Sequence, residues 1–252
     1  MSNKNKLKKF VCIMPMAGAG VRFSKYGYTV PKPLIEIQKT PMYIKASKTF
    51  PISFKRIFIV NKKINREKSF IKSIKSFKRK KVISLSRKTL GQASTVYKSL
   101  KFINNNDSII VHSCDLSFDL KLNLLQKKLS KYDILVFTSK ASSYHVKNHN
   151  QYSWVKKNDN DIFDISLKKN FKKSKGSKVL IGSFVFKNKK ILKDVFKYTF
   201  DKKIKINKEY YVDAAISIAN KIGYKLSEII VKNYKSWGSH NELANYKSKI
   251  KK

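Results

Sequence analysis

Between Met14 and Leu34 the chain reads MPMAGAGVRFSKYGYTVPKPL, a run that combines small residues, two cations and two prolines. After Met16, the four small residues Ala17, Gly18, Ala19 and Gly20 let backbone N–H groups come close to a polyphosphate, because no bulky side chain stands in the way. Arg22 and Lys32 follow, and can offset the charge that builds on a leaving pyrophosphate. Pro31 and Pro33 fix the backbone on either side of Lys32, so this lysine is held. The spacing is not the Gly-x-Gly-x-x-Gly dinucleotide fingerprint, since Phe23 stands where the third glycine would be. Nor is it a P-loop, which needs Gly-Lys-Ser/Thr after four intervening residues.

Such a cradle needs a rigid support, and the pattern around it supplies one. Lys9 to Met16 is an apolar run ending in the glycine loop and reads as a buried first strand. Arg56 to Val60, Lys81 to Leu85, Ser108 to His112 and Ile134 to Thr138 read as further strands. Helical segments lie between them. The clearest is Gly91 to Phe102, with Ala93, Val96, Tyr97 and Leu100 on one stripe. This alternation over residues 1–138 predicts a Rossmann-like α/β fold, three layers with helices on both faces of a mostly parallel sheet.

After residue 150 the pattern changes. Tyr152 to Lys156, Ile162 to Leu167 and Val179 to Phe186 read as strands with little helix between them, which predicts a small, partly antiparallel lobe. Helices return at Lys189 to Tyr198 and Tyr211 to Ile222. A strand at Lys225 to Val231 and a helix at Asn241 to Lys249 close the chain. The Lys-rich stretch Lys168 to Lys178 reads as an exposed loop. The expectation is one domain over residues 1–252, its first part (1–138) binding nucleotide and its second (150–252) binding an acceptor.

Composition narrows the classes. The chain has 252 residues, 42% of them apolar, and no uninterrupted apolar run near the ~20 residues of a membrane-spanning helix. The start does not read as a signal peptide, so a cytoplasmic protein is expected. Cys12 and Cys114 are the only cysteines, without metal-ligand spacing. The net charge of +42 comes from 57 basic against 15 acidic residues. Only five of the basic residues are arginine (Arg22, Arg56, Arg66, Arg79, Arg87), whereas specific phosphate and base recognition favours the bidentate guanidinium. A drift toward Lys-rich composition accounts for the charge at least as well as a nucleic-acid partner.

The run Gly18-Ala19-Gly20-Val21-Arg22-Phe23, then Gly27-Tyr28, then Pro31-Lys32-Pro33-Leu34 resembles the signature loop of the sugar-phosphate nucleotidyltransferases, the nucleoside-diphosphate-sugar pyrophosphorylases. Val21 stands where that family usually has Thr or Ser. The resemblance extends over most of the chain. Leu90-Gly91-Gln92-Ala93 resembles the motif that contacts the nucleotide base, and Ser113-Cys114-Asp115 the strand end with the aspartate that binds magnesium. Trp154, Ile165 to Lys169 and Ile181-Gly182-Ser183-Phe184-Val185-Phe186 resemble the acceptor pocket, where the family places a lysine on the acceptor phosphate and a glycine beside the sugar. Here that lysine is Lys168 or Lys169, and the glycine is Gly182. Glu209-Tyr210-Tyr211-Val212-Asp213 resembles the segment with the second metal-binding aspartate, and Trp237-Gly238-Ser239 through Leu243 the closing motif.

The resemblance implies an in-line displacement, in which an acceptor phosphate oxygen attacks the α-phosphorus of a nucleoside triphosphate and pyrophosphate leaves. The glycine loop and Arg22 would hold the β- and γ-phosphates and Lys32 the charge at the transferring phosphate. Asp115 and Asp213 would carry Mg²⁺, a hard cation suited to two carboxylates at the sheet edge. Gln92 can hydrogen-bond a pyrimidine, which points to uridine, cytidine or thymidine triphosphate. The acceptor would be a sugar 1-phosphate or a similar small phosphorylated molecule, of the kind built into surface polysaccharides.

Two other readings compete. A glycosyltransferase of similar architecture would carry an Asp-x-Asp metal motif, and the chain has Asp115-Leu116-Ser117. Asp159-Asn160-Asp161 does match, but reads as a polar hairpin turn. A basic nucleic-acid-binding protein would show strongly salt-dependent binding and no pyrophosphate release.

Overall fold

The structure, a computed structural model, describes residues 9–157, 163–167 and 178–250. In chain order its strands are β1 (Phe10–Pro15), β2 (Glu36–Ile37), β3 (Thr40–Pro41), β4 (Lys55–Asn61), β5 (Lys80–Leu85), β6 (Ser108–His112), β7 (Leu116–Asp119), β8 (Ile134–Lys140), β9 (Ser153–Lys157), β10 (Phe163–Leu167), β11 (Lys178–Phe186), β12 (Leu226–Ile230) and β13 (Lys232–Ser236). Nine of them form one sheet in the order β10-β9-β11-β6-β1-β4-β5, with β8 also paired to β11 and β12 paired to β8. β1, β4, β5, β6, β8, β9 and β12 point one way, and β10 and β11 the other. The sheet is thus mostly parallel, and the antiparallel pairs fall in the second part of the chain, as the pattern after residue 150 predicts.

Side chains alternate along the central strands, and each set has its own cover. On β1, Val11 and Ile13 pack into one cluster with Ile57 and Ile59 of β4 and Ile109 and Val111 of β6. Helices Gln92–Tyr97, Lys189–Asp201 and Val212–Ser217 close that side through Ala93, Val96, Leu192, Val195, Phe196 and Ala215. Phe10, Cys12 and Met14 point the other way, into clusters closed by Met42–Ser47 and by Leu122–Lys131. A strand buried on both faces has no polar alternation to display, which is why these strands read as continuous apolar runs.

The expected strands lie within two residues of the observed ones. Two helices are shorter than their apolar periodicity predicts. The Gly91 to Phe102 segment is a helix over Gln92–Tyr97 and then a 3-10 turn at Leu100–Phe102. The Tyr211 to Ile222 segment is a helix over Val212–Ser217 and then a 3-10 turn at Ala219–Ile222. In both, hydroxyls bond back to helical carbonyls: Ser99 Oγ donates to Val96 O at 2.6 Å and Ser217 Oγ to Ala214 O at 2.8 Å. Such bonds compete with the regular helical ladder. The pairs β2–β3 and β7–β13 were not apparent from the pattern. Lys178, expected in a loop, opens β11; Lys168 and Lys169, the rest of that stretch to residue 177, and Asp159-Asn160-Asp161 lie outside the described residues.

His112, at the end of β6, ties three elements together, two neighbouring strands and one helix. Its Nε2 lies 3.1 Å from the carbonyl of Ala46, which can only accept, so the proton is on Nε2. Nδ1 then accepts from the Ser183 hydroxyl at 2.5 Å. Burial pushes the imidazole pKa down from 6.5 to about 4. The unfolded chain therefore binds this proton first as pH falls, and stability is lost between those two values. The loss is roughly 3 kcal/mol in all. We expect the urea midpoint to fall steeply from pH 6.5 to pH 4 in the wild type and less steeply in His112→Gln; parallel profiles would remove His112 as the cause.

Candidate active site

The chain runs β1 to β4 to β5 in one direction across the sheet, then returns to β6 on the other side of β1. Loops leaving β1 and β6 therefore diverge at the carboxyl edge and open a crevice between them, the usual ligand position in such sheets. The loop after β1 and Asp115, three residues after β6, face each other across it.

A cleft of about 460 Å³ occupies that crevice, with Met16, Ala17, Gly18, Gly20, Arg22 and Lys32 on one wall. Gly91, Gln92, Thr95, Ser113, Cys114, Asp115, Glu209 and Tyr211 face them, with Lys88 and Thr89 at the rim. A second compartment of about 190 Å³ adjoins it and shares Arg22, Gln92, Ser113, Asp115 and Tyr211. Its further walls are Tyr152, Ser153, Gly182, Asp213, Tyr234, Gly238 and Glu242, among others.

Local geometry explains each placement. Gly20 takes φ 68° as it caps the short helix Val21–Ser24, a left-handed turn that suits glycine and aims the start of that helix at the cleft. Lys32 donates to Asp115 Oδ2 at 2.5 Å and to the Gly238 carbonyl at 2.9 Å, with its ammonium 5.3 Å from the Phe23 ring centre. Burial works against the Asp115 carboxylate, but Lys32, with Arg22 behind it, outweighs that and holds the carboxyl below its usual range. Asp213 sits in the first turn of its helix, takes the Ala214 N–H at 3.0 Å and accepts from the Ser153 hydroxyl.

Gly182 is the point at which β11 changes neighbour. Lys178 and Val179 pair with β9, Ser183 to Phe186 pair with β6, and the register against β8 shifts between Leu180 and Phe184. Gly182 takes φ 72°, and a Cβ there would meet Ser113 Oγ at 3.0 Å. The strand can bend onto the compartment only without a side chain at that position.

With this geometry in place, sequence and structure comparisons agree. The profile of the family described as nucleotidyl transferase matches residues 12–243. The chain belongs to that family. The transferase is similar in fold to a nucleoside-diphosphate-sugar pyrophosphorylase from Vibrio cholerae RC9, at 17% identity over 93% of this chain and 98% of that one, TM-score 0.76. It is also similar to the inositol-1-phosphate CTP transferase from T. maritima, at 19% identity over 96% of each chain, TM-score 0.70. A search of curated proteins finds no match.

One residue expected in the site lies elsewhere. Trp154 is 2% exposed in the core, its indole N–H donating to the His149 carbonyl, and its neighbours Tyr152 and Ser153 supply the wall instead. Strand alternation is the reason: with Ser153 toward the site, Trp154 turns inward. Ala19 is exposed on the loop, between Gly18 and Gly20, which line the cleft. Cys114 lines the cleft as a buried thiol whose pKa is pushed up to about 12, by burial and then by Asp115, so it is no nucleophile.

The transferase also places residues that motif reading passed over: Lys88, Thr89 and Glu209 at the first compartment, and Tyr152, Tyr234 and Glu242 at the second. Glu242 had a legible signal. The spacing Ser239-x-x-Glu242 is a capping box, and both of its bonds form, with Tyr152 donating to the remaining carboxylate oxygen at 2.8 Å. Among the described residues no group of three or more His, Cys, Asp or Glu side chains is arranged to hold a metal. Asp115 and Asp213, both on the second compartment, still fit a hard cation that takes its other ligands from substrate oxygens and water. No helix among the described residues is long and apolar enough to cross a membrane.

Proposed function

We propose that the enzyme transfers a nucleotidyl group from a pyrimidine nucleoside triphosphate to a sugar 1-phosphate or a similar small phosphorylated acceptor, releasing pyrophosphate, in the supply of precursors for surface polysaccharide. The observation that carries this reading is the pair of adjoining compartments with Arg22, Gln92 and Asp115 common to both. Transfer between two substrates needs such a junction. The acceptor phosphate in the second compartment and the α-phosphorus in the first must meet in line there.

Within this reading the loop Met16, Ala17, Gly18 and Gly20 and the Arg22 guanidinium bind the β- and γ-phosphates. Lys32 moves from Asp115 onto the transferring phosphate as negative charge builds on it. Gln92 meets the base. Gly182 and Asp213 flank the acceptor, whose phosphate is assigned to Lys168 or Lys169. Asp115 and Asp213 would hold Mg²⁺, which when bound supplies positive charge to phosphoryl oxygens. The name of the T. maritima neighbour, a CTP transferase for inositol 1-phosphate, joins a pyrimidine donor to a phosphorylated polyol and supports both choices.

The test is a pyrophosphate-release screen that crosses the nucleoside triphosphates with a panel of sugar 1-phosphates, polyol phosphates and amino-alcohol phosphates, with Mg²⁺ present. Release with at least one pyrimidine triphosphate is expected. Release with purine triphosphates alone would overturn the Gln92 assignment, and release with no pair would overturn the reading as a whole.

A further inference from the structure

We propose that His240 is a positioning residue that locks the phosphate-binding loop in place through a ring stack with Tyr26. The imidazole lies face to face with the Tyr26 ring, centres 4.1 Å apart and planes within 7°. Tyr28 meets the same imidazole at 6.0 Å and 66°, and Phe23 meets Tyr28 edge-on at 5.3 Å. Phe23 is 1% exposed, so this row of rings runs from the core, through the loop, to the first residue of the helix His240–Lys249.

Two details separate this contact from ordinary packing. His240 Nδ1 is buried with no hydrogen-bond partner among the described residues, so the ring is held by its faces rather than by that nitrogen. Tyr26 is 57% exposed, and it sits one residue past the end cap of the short helix that carries Arg22. Beyond the buried Phe23, the outer end of that helix is otherwise held by local bonds, among them Tyr26 N–H to the Phe23 carbonyl at 2.9 Å and Gly27 N–H to the Ser24 carbonyl at 3.1 Å. The same closing segment holds the other end of the loop, because the Gly238 carbonyl accepts from Lys32. Arg22 and Lys32 are thus set by two attachments, one aromatic and one polar, two residues apart in the chain.

This goes beyond the transfer reading and rests on it only for kinetics. The variants are Tyr26→Ala, at an exposed position, and His240→Asn and His240→Phe, of which only the last keeps a flat ring. Amide hydrogen exchange of residues 21–28 is measured in the free protein, and KM for the nucleoside triphosphate and for the acceptor by pyrophosphate release. Tyr26→Ala and His240→Asn are expected to speed exchange in that segment and raise the triphosphate KM about fivefold, with acceptor KM unchanged. His240→Phe should match the wild type in both. Unchanged exchange in the first two variants, or a His240→Phe protein that behaves like His240→Asn, would overturn the proposal. If no substrate pair releases pyrophosphate, the exchange experiment still decides the stack while the transfer reading alone fails.

Discussion

Lys32→Met should lower turnover by on the order of a thousandfold while leaving the protein folded. The ammonium lies between Asp115 and the Gly238 carbonyl, on the first compartment, with both partners lining the second. On the proposed reading it meets the charge that develops on the transferring phosphate, and methionine keeps its length without that charge. Asp115 would then lose its partner. Because burial is the largest influence on that carboxylate and Lys32 the main one opposing it, the Asp115 pKa should rise in the variant. Asp115→Asn should cost a similar factor for a different reason, since it removes a proposed ligand for the cation and leaves Lys32 without its resting partner. Rates of pyrophosphate release, measured on proteins with matching circular dichroism, check both. A folded Asp115→Asn enzyme at wild-type rate would falsify the metal role.

A second large effect is expected at Gly91, and it is structural. Gly91 adopts φ 116° and ψ −178°, a region of backbone space essentially reserved for glycine. A Cβ there would lie 2.6 Å from both the nitrogen and the oxygen of Tyr210, backbone atoms that cannot swing aside. The contact is close because Tyr210 N–H donates to Leu90 O at 2.7 Å and Ala93 N–H to Tyr210 O at 2.9 Å. Gly91→Ala should therefore cost about 3 kcal/mol or more, which for a chain of this size lowers Tm by roughly 10 °C. Gly18→Ala is the control, since nothing stands within 4 Å of a Cβ there. It should melt like the wild type and lose only affinity for the triphosphate. A Gly91→Ala protein that melts within about 2 °C of wild type would show that the Leu90–Tyr210 pairing can open at little cost.

Much of this was legible in the sequence because it is local. The runs at β1, β4 and β6, and the glycine loop between β1 and Lys32, are set by consecutive residues and by a periodicity that one segment displays on its own. Asp115 could be placed because β6 ends just before it. What could not be read is what distant segments do to one another. The Lys32–Asp115 ion pair spans 83 positions, and the Lys32 bond to Gly238 spans 206. The second depends on β13 pairing with β7, which brings Trp237 N–H to the Asp115 carbonyl at 2.7 Å, and β7 is only four residues long. Trp154 was misplaced by a single step of strand alternation, which no window fixes until a neighbour sets the face. The broken helices after Gly91 and Tyr211 were hidden by intact apolar stripes, while their serines gave the interruption.

The bend of β11 at Gly182 has a consequence for how such an enzyme can change. One strand walls the second compartment through Leu180 to Gly182 and Phe184, and it is held by β9 over Lys178 and Val179 and by β6 over Ser183 to Phe186. If that compartment takes the acceptor, exchanges at the start of β9, where Ser153 lines it, would reshape its wall while the β6 contacts, and with them Asp115 and the glycine loop, stay in register. On the proposed reading, the choice of acceptor can be rewritten without disturbing the chemistry next door.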